Sequence, residues 1–90
     1  MAKRIELKIY GDVQGVSFRV QVHEIAKSLG LVGYVKNEPD GTVKIIAEGG
    51  EKGLKTFIKK CYTLANVIVE KINVEWKEGK GEFGKFVIKY

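Results

Sequence analysis

The amino-acid sequence predicts an α+β fold in which two helices cover one face of a mostly antiparallel sheet. Three observations carry that prediction. Ile5, Leu7 and Ile9 alternate with Glu6, Lys8 and Tyr10, the period-two pattern of a half-buried strand. Phe18, Val22, Ile25, Ala26 and Leu29 recur at helical spacing, and so do Leu54, Phe57, Ile58 and Cys61. Such stripes mark the buried face of a helix. The whole chain then reads strand, helix, strand, strand, helix, strand, with a short extra C-terminal strand. That βαββαβ order is the split-βαβ, ferredoxin-like sandwich.

Each element has a local reason. The first strand is expected over 3–10 and the first helix over 18–29, closed by Gly30, a natural left-handed stop. A second strand follows over 31–37. Glu38-Pro39-Asp40-Gly41 is a turn, because Pro presets φ, Asp bonds locally and Gly accepts positive φ. The third strand, 42–48, places Val43, Ile45 and Ala47 on one face. Gly49-Gly50 leads into the second helix, 51–62, where Glu51 and Lys55 form a favourable i,i+4 pair. The fourth strand is expected from Val67 to Trp76, and Glu78-Gly79-Lys80-Gly81 turns the chain into a last strand, 86–90.

Ninety residues make one domain, 1–90, with no room for a second core. No apolar run approaches the ~20 residues of a membrane span. Met-Ala-Lys-Arg leads into a strand with no apolar leader segment, and one cysteine excludes an internal disulfide; both fit the cytoplasm. Lys and Glu richness leans toward a thermophilic source. The net charge of +5 favours anionic partners in general. Lys52, Lys55, Lys59 and Lys60 crowd the second helix off its apolar stripe, as a solvated face does.

Most catalytic schemes are excluded by inventory. The one histidine, His23, falls off its apolar stripe and reads as a surface residue. Cys61 falls on its stripe and reads as a buried thiol. The two are too few for a zinc site, and no triad is recognisable. No metal and no cofactor is expected.

The informative segment is Gly11-Asp12-Val13-Gln14-Gly15-Val16-Ser17-Phe18-Arg19. A loop between a strand and a helix start turns free backbone N–H groups toward one point, where the helix dipole adds positive charge. Gly11 and Gly15 permit the turns that aim them. This is a site for an anion, and phosphate is the one expected. Arg19 is one of two Arg against 14 Lys. In the first helical turn a cation is disfavoured by roughly 0.3–1 kcal/mol, and a bound phosphate reverses that sign. Arg19 on the helix surface, paired with Glu24, fits the spacing equally well. In this topology the third strand lies between the first two, which end at one edge of the sheet. The 12–18 loop, Arg19 and Asn37 therefore converge.

Gly11 to Arg19 resembles the signature of the acylphosphatase family, roughly G-x-V-Q-G-V-x-F-R. Gly33-Tyr34-Val35-Lys36-Asn37-Glu38-Pro39-Asp40-Gly41-Thr42-Val43 is similar to that family's second signature. The likeness spans about the whole chain, with Ala47-Glu48-Gly49 and the aromatic run after Gly81 also fitting. Where family members often carry Gly-Pro-Pro before the fourth strand, this chain has Cys61-Tyr62-Thr63-Leu64, a change of local loop shape. The resemblance implies a free-standing enzyme that hydrolyses acyl phosphates, with Arg19 and Asn37 catalytic. Gln14, Gly15, Val16, Ser17 and Phe18 form the phosphate-binding loop, supported by Gly11 and Thr42. Arg19 and the loop N–H groups neutralise phosphate oxygens, and Asn37 holds a water with its amide donor and acceptor. No strong base is present, so the leaving group must be good already, as the carboxylate of an acyl phosphate is. Asp12 is expected to face solvent, Gln14 to fix loop shape and Thr42 to buttress Asn37.

Inorganic phosphate is expected as product and inhibitor, and a monomer is expected. Two rivals remain from other classes. One is a non-catalytic anion-binding domain. The other is a nucleic-acid module such as an RRM, which shares the topology, but whose stacking aromatics belong on a third strand that here offers Val43, Lys44 and Ile45. No nucleic-acid or membrane partner is expected.

Overall fold

Seven elements follow one another in the predicted order: β1 Lys3–Asp12, α1 Val16–Ser28, β2 Val32–Asn37, β3 Val43–Gly49, α2 Glu51–Cys61, β4 Ile68–Glu78 and β5 Phe86–Lys89. The computed structural model describes residues 2–90, and of Val16 the backbone alone. The sheet order is β4-β1-β3-β2-β5. β3 lies antiparallel between β1 and β2, and β4 antiparallel on the other side of β1. β5 closes the far edge, parallel to β2.

One buried layer joins sheet and helices. Ile5, Leu7, Ile9, Val35, Val43, Ile45 and Ala47 meet Phe18, Val22 and Ala26 of α1 and Leu54, Phe57 and Cys61 of α2. The Phe57 and Phe86 rings pack 6.3 Å apart at a tilt, each contributing roughly 1.5–3 kcal/mol by burial. Glu51 meets Lys55 at 3.0 Å, as their spacing predicts.

Two boundaries differ from expectation in ways that matter for the site. α1 begins at Val16 rather than 18, because Gly15 takes φ +140 and allows the helix to start at once. β1 continues to Asp12 through a register shift between Tyr10 and Gly11. At Gly11, φ is +134, and a Cβ would lie 2.1 Å from the Ile68 carbonyl oxygen. Only glycine lets the two strands approach there. His23 is half-buried rather than on the surface, its ring 6.2 Å from that of Phe86.

The face of the sheet away from the helices carries an ion cluster that the pattern did not foretell. Arg4 Nε donates to Glu48 at 2.7 Å and Arg4 Nη2 to Glu82 at 2.6 Å. The Lys80 and Gly81 N–H groups donate to the same Glu48 carboxylate at 3.0 and 3.1 Å. The guanidinium also stands 5.3 Å over the Phe83 ring. Burial alone would raise the Glu48 carboxyl. The Lys80 N–H, the Arg4 guanidinium and the Gly81 N–H together hold it below its ordinary value. The cluster ties down the segment that delivers β5 to the edge of β2.

Candidate active site

The site is built around the start of α1. Its N-terminal residue, Gly15, has no side chain to cap the helix, and no acidic residue stands in the first turn. The first-turn N–H groups are thus left to an outside acceptor. Because the helix starts early, Val16, Ser17 and Phe18 are its first turn and not a loop. Ser17 is exposed, while the Phe18 side chain is core, so Phe18 offers only backbone. Asp12 is exposed, as expected.

Gln14 ties this segment to the β2–β3 turn. Its Nε2 donates to the Glu38 carbonyl at 2.7 Å and the Thr42 carbonyl at 3.0 Å. Those carbonyls flank the turn that follows Asn37. Gln14 thus bridges the segment and the turn. Thr42 behaves differently from expectation. Its hydroxyl and N–H both bond to Asp40, not to Asn37, because the Asx-type bond within the turn is closer to hand. The Thr42 hydroxyl, the Thr42 N–H and Lys8 lower the Asp40 carboxyl to about 2. Thr42 stiffens the turn and acts on Asn37 only through it.

Arg19 is buried and makes no pair with Glu24, which instead lies 3.7 Å from His23. Its Nη1 donates to the Lys89 carbonyl at 3.2 Å, and its Cζ lies 4.7 Å from the centre of the Tyr90 ring. Lys89 stands opposite Lys36 in the parallel β2–β5 pair, one residue before Asn37. The last strand thus holds the guanidinium beside the end of β2. Sequence reasoning missed this role of Lys89 and Tyr90. A closing strand was legible, but nothing local encodes its partner.

Among the described residues, two buried side-chain polar atoms have no partner: Arg19 Nε, a donor, and Asn37 Oδ1, an acceptor. Leaving such groups unsatisfied costs about 1–3 kcal/mol each. One belongs to each residue singled out from the sequence. The first is a donor open to an anion's oxygen, and the second an acceptor open to an N–H or O–H donor.

Other features offer less. Burial pushes the Cys61 thiol up to about 12, far from a nucleophile's range. Among the described residues no group of three His, Cys, Asp or Glu is placed to hold a metal ion. A broad hollow on the open sheet face is lined by Glu6, Lys8, Glu38, Asp40, Lys44 and Glu75. It lies across the sheet from Arg19 and mixes both signs of charge.

The chain is similar to known proteins over nearly its whole length. The family model described as Acylphosphatase matches residues 5–88. The acylphosphatase of Caldanaerobacter subterraneus subsp. tengcongensis is 40% identical, over 98% of this chain and 99% of that protein. The crystal structure of acylphosphatase from Bacillus subtilis superposes with a TM-score of 0.93 at 34% identity, covering 98% of this chain and 99% of that one. Full-length HypF in its phosphate- and nucleotide-bound form contains a similar unit, with a TM-score of 0.90 at 32% identity, covering 100% of this chain but 12% of that chain. With a family match running nearly end to end and relatives of the same length, the chain belongs to the acylphosphatase family.

Proposed function

We propose that this chain hydrolyses the carboxyl–phosphate bond of acyl phosphates, with Arg19 and the first-turn N–H groups of α1 gripping the phosphate and Asn37 holding the attacking water. The observation that carries the reading is the pair of orphaned atoms, a donor on Arg19 and an acceptor on Asn37. The water oxygen forms a bond to phosphorus as the phosphorus–acyl oxygen bond breaks. The carboxylate leaves with the electron pair. The water proton passes to a phosphate oxygen, so the protein need supply no base. Neutralising the equatorial oxygens and aligning the water are the protein's share. Gln14 keeps the gripping segment against the turn, and the Lys89 carbonyl and Tyr90 ring orient the guanidinium.

The reading extends to a monomer working without metal in the cytoplasm, with inorganic phosphate as product and competitive inhibitor and no nucleic-acid partner. The free-standing relatives of equal length support an enzyme over an idle anion-binding unit. No helix among the described residues is long and apolar enough to cross a membrane. The test is benzoyl phosphate hydrolysis in excess EDTA, with Asn37→Ala alongside. Turnover should survive the chelator. Asn37→Ala should lose about 10²-fold or more in kcat, the scale for a misplaced reactant, while still binding phosphate by calorimetry. Activity lost to EDTA and restored by Mg²⁺ would sink the mechanism. Phosphate affinity lost together with turnover would move Asn37 from water to phosphate.

A further inference from the structure

On the open face of the sheet, four lysines form one in-register row across four adjacent strands. Lys8 of β1 stands opposite Lys44 of β3, Lys44 opposite Lys36 of β2, and Lys36 opposite Lys89 of β5. Like charges directly opposite on one sheet face are destabilising, so a row of four breaks a local rule. Such a break without structural compensation points to function. Compensation is slight. Lys8 meets Asp40 at 3.1 Å, and the Lys89 ammonium stands 3.9 Å from the centre of the Tyr34 ring. Lys36 and Lys44 make no ion pair among the described residues, and both are half-buried. The carboxylates on this face are otherwise engaged: Glu6 with Lys77 and Arg4, Glu48 and Glu82 with Arg4. The exceptions are Glu75, opposite Glu6 on β4 and one row removed, and Glu38, which lines the same hollow as Lys8 and Lys44.

The row is anchored at the working edge of the sheet. Lys36 immediately precedes Asn37 in β2, and Lys89 supplies the carbonyl that holds Arg19. Its side chains point away from the helices, so they cannot ligate the phosphate that Arg19 holds. Their field nonetheless extends about a Debye length, 8–10 Å at ordinary salt, from the edge where an anion must approach. We propose that the Lys8–Lys44–Lys36–Lys89 row is an electrostatic collector, which raises the encounter rate and affinity of phosphate-bearing substrates without taking part in the chemical step. This rests on the acyl-phosphate reading above and assigns to that site its charge selectivity.

The test is a matched pair of double variants. Lys36→Gln with Lys44→Gln removes two charges from the row. Lys3→Gln with Lys52→Gln removes two from the opposite edge, where Lys3 stands across from Gly49. At low salt the row variant should lose about 3–10-fold in kcat/KM for benzoyl phosphate through KM, with kcat unchanged, a modest steering effect. Its affinity for inorganic phosphate should fall in parallel. The difference should close as salt rises toward ~0.5 M, and Tm should hold or rise as repulsion is relieved. The control should change by less than about 2-fold. Equal losses in both doubles would reduce the row to net charge and overturn the inference. A loss in kcat, or one that persists in high salt, would overturn it too. An active wild type with an unaffected row variant refutes the collector alone. A wild type that neither hydrolyses benzoyl phosphate nor binds phosphate refutes the collector and the acyl-phosphate reading together.

Discussion

Arg4 and Arg19 are the chain's two arginines, 6% and 8% exposed. The similarity ends there. Arg4 is met by Glu48 and Glu82 at hydrogen-bond distance, with Glu6 at 3.8 Å and the Phe83 ring over it. Among the described residues Arg19 meets a carbonyl and an aromatic ring but no carboxylate, and its Nε has no partner. A buried cation that is fully paired is a structural part. One that is buried and left short of partners is held ready for a ligand, because its desolvation has been met by the fold and not by a counter-ion. The contrast is what sets Arg19 apart as the candidate for ligand binding and Arg4 as a structural part.

The largest break in that contrast should come from Arg19→Gln. Removing an arginine that clamps a transferring phosphoryl group costs ~10³–10⁵ in rate. Benzoyl phosphate hydrolysis should fall by that order, and phosphate should cease to inhibit. Arg19→Lys should recover little, since an ammonium cannot reproduce the bidentate fork. Thermal melting should show no loss of stability, because an uncompensated buried charge at the positive end of α1 has gone. A well-folded Arg19→Gln protein with near-normal turnover would place the anion site elsewhere.

Arg4→Gln should give the opposite profile. It strands Glu48 in a buried position, and breaking such a pair costs about 3 kcal/mol. Urea midpoints should drop accordingly, while kcat per folded molecule stays close to wild type. The same cluster sets an acid limit. Glu48 has a folded pKa below its unfolded value, so its stabilisation is complete above the ordinary glutamate range and is lost as pH falls through the depressed folded value. Wild-type stability should therefore decline below about pH 4.5, and Glu48→Gln should flatten that decline. An unchanged acid slope would assign it to other carboxylates. The smallest effect sharpens the Arg19 side: Tyr90→Ala removes one cation–π contact, worth about 0.5–1 kcal/mol where exposed. It should raise KM a few-fold and leave Tm nearly unchanged.

The sequence made legible whatever was periodic or local. β1 alternates along Ile5, Leu7 and Ile9, β3 does so apart from Ile46, and both helix stripes became the core. The turn at Glu38–Gly41 formed from its own Asp–Thr bonds. Arg19 and Asn37 could be singled out because one breaks a helix-end preference and topology brings the other to it. What stayed hidden depends on contacts far apart in the chain. The Arg4 cluster joins residues 44 and 78 positions apart. Gln21 exchanges two hydrogen bonds with the Ala65 backbone, fastening the unusual 61–66 segment to α1 with no pattern to announce it. Thr42 was misjudged because a hydroxyl two residues from an aspartate bonds within the turn before it reaches across it.

The bond from Arg19 to the Lys89 carbonyl spans 70 positions. Its acceptor belongs to the last strand of the sheet, and a contact so distant in sequence forms only after long stretches of chain have been closed into loops. During synthesis the guanidinium emerges early and has no carbonyl to hold it until β5 has left the ribosome and docked beside β2. A nascent chain with its first helix and hairpin already in place would therefore have no oriented Arg19. On the reading proposed above, hydrolysis would report the completion of the sheet as much as the presence of Arg19 and Asn37.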